Sequence, residues 1–186
     1  MGNACDEQLV IKHSRADRGY VITRKDGGRV GSIICNQTAS GMDVFITNAM
    51  HDVWMVLDIR HDAPDSAAFL VPAAPIHGRA GKFHVLGQLA RSTRMLGNKF
   101  VFQPVMEQDM VLAIGSALSR SLVIRRGGKD IGHVLQTNKR LDISLAGGLG
   151  ERDKGIVVGI AIATCLQAEL ASNLKEDMKV PEILAG

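Results

Sequence analysis

The sequence predicts a mainly β protein, a two-half antiparallel β-barrel that encloses a hydrophobic α-helix near the C-terminus. Twelve short segments rich in β-branched and aliphatic residues precede residue 146, and turn-forming residues separate most of them. A later stretch, 155–166, would be apolar on every side of a helix. With 186 residues, 46% hydrophobic and 22% charged, the chain has the size and composition of one globular domain.

The strands are defined by their apolar residues and by the Gly, Pro, Asn or Asp residues between them. So many short strands in 145 residues are typical of a mostly antiparallel barrel or sandwich. In chain order the predicted strands are Leu9–His13, Tyr20–Arg24, Val30–Cys35, Val44–Thr47, Val53–Arg60, Ala68–Val71, Phe83–Gly87, Lys99–Gln103, Met110–Ile114, Ser121–Arg125, Ile131–Gln136 and Leu141–Leu145.

Two of the predicted hairpins resemble each other. Gly27-Gly28 and Gly127-Gly128 lie 100 residues apart, each between two aliphatic strands, and such glycines supply the positive φ angles of a tight hairpin. The strands that follow also match, because Asp43-Val44 and Asp142-Ile143 lie 99 residues apart. This shared offset predicts a duplicated half-barrel, although chance similarity between hairpins is the alternative.

The strand Val53–Arg60 shows the two-residue period of an extended chain. Alternation places Val53, Met55, Leu57 and Ile59 on one face, and Trp54 on the opposite face with Val56 and Asp58. Trp54 is the only tryptophan. We expect it to pack in the core, with a position at a rim or interface as the alternative.

The apolar stretch predicts a helix over Ile156–Leu166, with Asp153 as its N-cap. It is too short for a membrane span, which needs about 20 apolar residues, so we expect the protein to enclose it. The predicted organisation is a flexible N-terminus over 1–8, a single barrel domain over 9–172 with halves of about 9–75 and 76–172, and a polar tail over 173–186.

The net charge of +3 conceals a basic stretch, since residues 79–140 carry eleven basic and three acidic residues. Such a cluster can bind phosphate groups on a membrane surface or on a nucleic acid. A solvated face is the alternative, because long basic side chains are mostly exposed in any protein. The residues predicted to bind anionic lipids are Arg120, Arg125, Arg126, Lys129, Lys139 and Arg140.

The N-terminus, Met1-Gly2-Asn3-Ala4-Cys5, is similar to a dual-acylation signal, with Gly2 open to myristoylation and Cys5 to palmitoylation. The common pattern has Ser or Thr where this chain has Asp6. One myristoyl chain binds membranes only marginally, so Cys5 or the basic stretch would supply the second signal.

The cysteines and histidines point to no catalytic or metal site. Three cysteines, without a C-x-x-C pair, favour a reducing compartment, and the first 20 residues lack a signal sequence. Cys35 and Cys165 have no activating partner nearby in the sequence. We therefore predict a cytoplasmic protein with no catalytic residues, metal or cofactor.

The closing third of the chain resembles a known superfamily. The segments that carry the resemblance are Gly115–Ile124, Gly128–Val134 and Leu141–Leu145, followed by Asp153 and the predicted helix. This order is similar to a LURP-one-related domain, of the superfamily that also contains the tubby C-terminal domain and the phospholipid scramblases. The resemblance covers residues 110–170 well and 20–60 loosely, and the calcium-binding segment of scramblases has no counterpart here.

The resemblance implies a barrel around a hydrophobic helix and a lipid-facing, signalling or scaffold role without a catalytic triad. We therefore expect a non-catalytic, peripheral lipid-binding adaptor on the cytoplasmic face of a membrane, with no transmembrane span. Its partners would be anionic membrane lipids, with protein partners as a further possibility. The alternatives are a protein-interaction or nucleic-acid-associated regulator and, last, a small hydrolase or transferase.

Overall fold

All twelve predicted strands are present, and most extend a few residues beyond their predicted bounds. The computed structural model describes residues 7–14, 19–63, 65–74, 81–92, 98–106, 109–116, 120–137 and 140–177. The elements in these ranges are β1 Glu7–Ser14, β2 Gly19–Arg24, β3 Arg29–Thr38, β4 Gly41–Asn48, β5 Val53–Arg60, β6 Ser66–Pro72, β7 Phe83–Arg91, β8 Asn98–Pro104, β9 Val111–Ser116, β10 Ser121–Arg126, β11 Lys129–Gln136, β12 Arg140–Leu145 and α1 Glu151–Asp177.

The strands form one closed antiparallel barrel in which each strand pairs with its neighbours in the chain. β1 and β12 close the ring, with Glu7 opposite Leu145 and Lys12 opposite Arg140. The predicted fold class, a mainly β antiparallel barrel with a C-terminal helix, is confirmed. This is also the architecture that the resemblance to the tubby-like superfamily implies.

The helix α1 runs into the barrel, as its apolar sequence predicts. Residues 155–163 are all buried, which is about two and a half turns without an exposed face. Two glycines permit the close packing. A Cβ atom on Gly132 of β11 would lie 2.6 Å from Val157 Cγ1, and one on Gly159 would lie 2.6 Å from the Phe69 ring.

The ends of α1 differ from the prediction. The helix begins at Glu151, so Asp153 lies in its first turn and is not the N-cap. Its carboxylate instead accepts a hydrogen bond from Arg126. The helix ends at Asp177, beyond the predicted end at Leu166. In the described ranges, no helix combines the length and the apolar composition needed to cross a bilayer.

The two Gly-Gly hairpins have different turns. Gly127 and Gly128 both have positive φ, 55° and 78°, and form a two-residue turn between β10 and β11. In the β2–β3 turn only Gly27 has positive φ, and the N–H of Gly28 donates to the Asp26 carboxylate. Along the chain the hairpins are also eight strands apart, whereas equivalent positions in two six-strand halves would be six strands apart.

The strict alternation predicted for β5 is wrong at its start. The β4–β5 register shifts between Ile46 and Thr47, which pair with Met55 and Val53, and Trp54 is therefore an extra residue. Val53 consequently packs in an outer cluster with Val56, on the other side of the sheet from the core residue Met55. Trp54 packs against the core, as expected.

The antiparallel topology gives the barrel two distinct ends. We call the end where α1 begins the entry end. It carries the β2–β3, β4–β5, β6–β7, β8–β9 and β10–β11 connections and the start of β1. The opposite end, called the far end, carries the remaining connections between strands.

Candidate functional site

The six basic residues predicted to bind lipid do not form one surface. Arg125, Arg126 and Lys129 lie around the β10–β11 turn at the entry end, whereas Arg120 and Arg140 lie at the far end. The length of β10 separates Arg120 from Arg126 by about 20 Å. Lys139, and the predicted acylation sites Gly2 and Cys5, lie outside the described residues.

Arg126 has a structural position. Its side chain is only 18% exposed and donates to Asp153 in the first turn of α1. This charge-assisted hydrogen bond joins the end of β10 to the start of the helix. Arg126 therefore fixes α1 at the barrel mouth, and its charge is neutralised there.

Two other predicted residues also have carboxylate partners. Arg125 Nε donates to Asp130 Oδ1 at 2.6 Å, and this hydrogen bond lowers the pKa of the Asp130 carboxyl. Arg140 Nε donates to Asp142 Oδ2 at 3.0 Å on the outer wall. Both arginines are exposed, and such exposed pairs contribute little to stability.

Glu7 connects β1 to the start of α1. Lys154 Nζ lies 2.9 Å from Glu7 Oε2 and 3.0 Å from Glu151 Oε1, and Arg24 Nε lies 3.4 Å from Glu7 Oε1. The hydrogen bond from Lys154 lowers the pKa of the Glu7 carboxyl, and the same bond raises the pKa of Lys154. This network joins β1 and the end of β2 to the first turn of α1.

Exposed lysines remain at the tips of both Gly-Gly hairpins. Lys25 is exposed in the β2–β3 turn, and Lys129 is exposed where β11 begins. Only β12 and β1 separate the two hairpins, which places them about 15 Å apart on the barrel wall. The sequence prediction missed Lys25 because it lies outside the basic stretch, although the similarity between the hairpins could have indicated it.

The connections on the opposite side of the entry end expose apolar side chains. Met50 in the β4–β5 connection is 72% exposed, and Met106 in the β8–β9 connection is 85% exposed. Val105 and Met110 of the β8–β9 connection are also exposed, as is Val85 near the start of β7. Sequence reasoning did not identify this group, because an isolated methionine or valine is usually read as a core residue.

A cleft of about 660 Å³ opens between these connections and the start of α1. Its polar lining residues are Asn48, Asp52, His84 and Arg152. Most of the rest of the wall is apolar, and its lining residues are Val53, Trp54, Met55, Val71, Pro72, Ala73, Ala74, Val85, Leu86, Met106 and Gly155.

The Asn48 side chain holds the cleft wall in place. Its Oδ1 accepts hydrogen bonds from the N–H groups of Met50 and Asp52, each at 2.9 Å, and its Nδ2 donates to Asp52 Oδ2 at 3.1 Å. His51, which lies between Met50 and Asp52 in the chain, has a positive φ of 67°. The side-chain hydrogen bonds of Asn48 thus hold a strained turn and set the position of Met50.

The described residues contain no group of three or more His, Cys, Asp or Glu side chains placed to hold a metal ion. Of the two cysteines that they include, Cys35 is exposed on β3, and Cys165 accepts a hydrogen bond from Gln136 at 3.2 Å inside the far end. Within the described residues, the entry end combines exposed lysines, exposed methionines and a mainly apolar cleft.

Comparison with known proteins adds information on the fold. No protein-family model and no curated protein sequence matches the chain. Among solved structures, the chain is similar to the X-ray structure of the protein AT5G01750 from Arabidopsis thaliana, with a TM-score of 0.60 and 12% sequence identity. The match covers 87% of this chain and 93% of the Arabidopsis chain. At this identity the likeness concerns the fold alone.

Proposed function

We propose that this chain is a non-catalytic, peripheral membrane protein that binds anionic phospholipid surfaces with the entry end of its barrel. One observation carries the proposal: exposed cationic hairpin tips and exposed apolar side chains lie at the same end of the barrel. The cytoplasmic face of a membrane, with its anionic lipids, is the surface that suits this combination.

The cationic side supplies the electrostatic attraction. A lysine near an anionic bilayer surface contributes about 1 kcal/mol, and this contribution falls with salt. Lys25 and Lys129 extend from two tight turns of the barrel wall. Because the turns are hydrogen-bonded parts of the barrel, both charges can approach a flat surface together with little ordering of the chain.

The apolar side chains supply a contribution to the free energy of membrane binding that salt does not screen. Met50 and Met106 project from the connections at this end, and burial of such side chains at the interface adds the transfer free energy of their exposed surface. A nucleic acid would use the cationic hairpins but would leave these methionines in water. This difference favours a membrane over the nucleic-acid alternative.

Acylation would act at the same end. Glu7, the first described residue, lies at the entry end, and the covalent chain keeps Gly2 within about 18 Å of it. We propose that acyl chains on Gly2 and Cys5 add to the binding of the folded surface. Mass spectrometry of protein expressed in eukaryotic cells tests this, and unmodified Gly2 and Cys5 would remove this part of the proposal.

We also propose that the chain belongs to the superfamily of tubby C-terminal domains, scramblases and LURP-one-related proteins. The supporting observations are the sequence resemblance over residues 110–170 and the barrel around one apolar helix. A profile built from homologues of this chain, searched against members of that superfamily, tests the assignment. A profile that detects other barrel families but not this one would contradict it.

The test of membrane binding is co-sedimentation of unacylated protein with neutral and anionic vesicles, at low and physiological salt. The charge-reversal variant Lys25→Glu/Lys129→Glu should lose at least about 2 kcal/mol of binding, roughly a thirtyfold drop in affinity. Its matched control, Lys12→Glu/Arg120→Glu, makes the same charge change towards the far end and should bind like the unmodified protein.

Competition with duplex DNA distinguishes binding to anionic lipid from binding to nucleic acid. Protein that stays with anionic vesicles in excess DNA supports the membrane proposal. If DNA removes the protein from the vesicles, the nucleic-acid alternative is favoured. If the unmodified protein never sediments with anionic vesicles, or both variants bind equally, the entry end is not a membrane-binding surface.

A further inference from the structure

The cleft at the entry end has the features of a site for a single apolar chain. Its volume of about 660 Å³ lies within the range of roughly 300–1,000 Å³ typical of small-molecule sites. The wall is mainly apolar, with Trp54 on the side of α1 and Met106 on the side of the β8–β9 connection. The helix fills the barrel interior, so the cleft is a separate space at the mouth.

The position of the cleft indicates where such a chain would come from. Met106 lines the cleft and is also 85% exposed, so the apolar wall is continuous with the surface proposed to contact the bilayer. A lipid in that bilayer can therefore move a chain into the cleft along an apolar path. The exposed side chain of Arg152, which lines the cleft, complements a phosphate headgroup that remains outside.

We infer that the cleft beside Trp54 takes up one acyl chain of an anionic phospholipid from the bound bilayer. This inference rests on the proposed membrane binding and adds a specific lipid site to it. The headgroup stays at the mouth, where Arg152 and His84 line the opening, while Trp54, Leu86 and Val71 contact the chain. No covalent step is involved.

Trp54 makes the inference testable, because it is the only tryptophan and it lines the cleft. The probe is an anionic vesicle whose phospholipid acyl chains carry bromine, a short-range quencher of indole fluorescence. The variant Ala73→Phe fills the cleft, and Ala74→Phe provides a second filled variant. The matched control is Ala90→Phe, which places the same side chain at an exposed position of β7 towards the far end.

We expect brominated vesicles to quench Trp54 in the unmodified protein and in Ala90→Phe. We expect both cleft-filling variants to lose most of this quenching while they sediment with vesicles to the same extent. Equal quenching in the filled variants would overturn the inference, because Trp54 would then only lie near the bilayer surface. Sedimentation without quenching in the unmodified protein would also overturn it and would leave membrane binding intact.

A soluble probe distinguishes a protein whose cleft does not bind a lipid chain from a protein that does not bind membranes. A brominated single-chain phospholipid, used below its critical micelle concentration, should quench Trp54, and the filled variants should lose that effect. This result, in a protein that does not sediment with vesicles, would support the cleft and contradict the membrane proposal. Absence of quenching by the soluble probe would overturn the lipid-chain site.

Discussion

The close contact between β11 and α1 gives the most direct test of the enclosed helix. Gly132 lies on β11, and a Cβ atom there would lie 2.6 Å from Val157 Cγ1 and 3.3 Å from Cγ2. Val157 is completely buried. The perturbation is a double-mutant cycle that combines Gly132→Ala, which adds a methyl group, with Val157→Ala, which removes two.

The structure sets the expected magnitudes. Overpacking by Gly132→Ala should lower the free energy of unfolding by about 1–3 kcal/mol. Val157→Ala should lower it by about 2 kcal/mol, from roughly 0.8 kcal/mol for each lost methyl group and a further contribution from the cavity. In the double variant the new methyl group enters the space that Val157 vacates. The loss of unfolding free energy in the double variant should therefore be at least about 1 kcal/mol smaller than the sum of the losses in the two single variants.

The assay is urea unfolding, in which Trp54 fluorescence and far-ultraviolet circular dichroism report the fraction of unfolded protein. A control cycle combines Gly132→Ala with Leu57→Ala, a buried residue on β5, six strands away in the ring. The control pair should be additive within about 0.5 kcal/mol. If the Gly132 and Val157 changes are equally additive, α1 does not pack against β11, and the argument for an enclosed helix is refuted.

Two further predictions concern pH and the hairpin turns. Because Lys154 lowers the pKa of Glu7, the stabilisation by Glu7 is present above its ordinary pKa of 4.5 and is lost as the pH falls through the lower folded value. Glu7→Gln should thus reduce unfolding free energy by up to about 1 kcal/mol at neutral pH and by less below pH 4.5, and a difference that grows in acid would contradict this. Gly128→Ala, at positive φ, should lower stability by about 1 kcal/mol more than Gly28→Ala in thermal or urea unfolding. Equal losses at both glycines would contradict the difference between the turns.

The strands were predictable because local patterns determine them. Apolar residues at the two-residue period, interrupted by turn-forming residues, identified all twelve, and the all-round apolar stretch identified the helix. The error at Trp54 has a physical cause. A β-bulge depends on the neighbouring strand, since it is the pairing of Thr47 with Val53 that makes Trp54 an extra residue.

The candidate site was less predictable because consecutive connections between strands lie at opposite ends of the barrel. Arg120 and Arg126 belong to one basic stretch, yet the length of β10 separates them. Lys25 and Lys129 are distant in sequence, but the alternation of the strands places both hairpins at the entry end, and the pairing of β1 with β12 brings them near each other. Charged residues that are close in sequence therefore need not share a surface in an antiparallel barrel. Every second turn along the chain, in contrast, lies at the same end.

The barrel itself limits where this protein can bind a partner. Each of the described strands pairs on both sides, so none of them offers an open edge to which a peptide strand could be added. The interior is filled by α1, from Gly155 to Ala163, and leaves no lumen for a ligand at that level. Recognition must then use the outer wall or an end of the barrel. Among the described residues, the entry end combines exposed lysines, exposed methionines and a cleft, and it is therefore the end proposed to bind lipid.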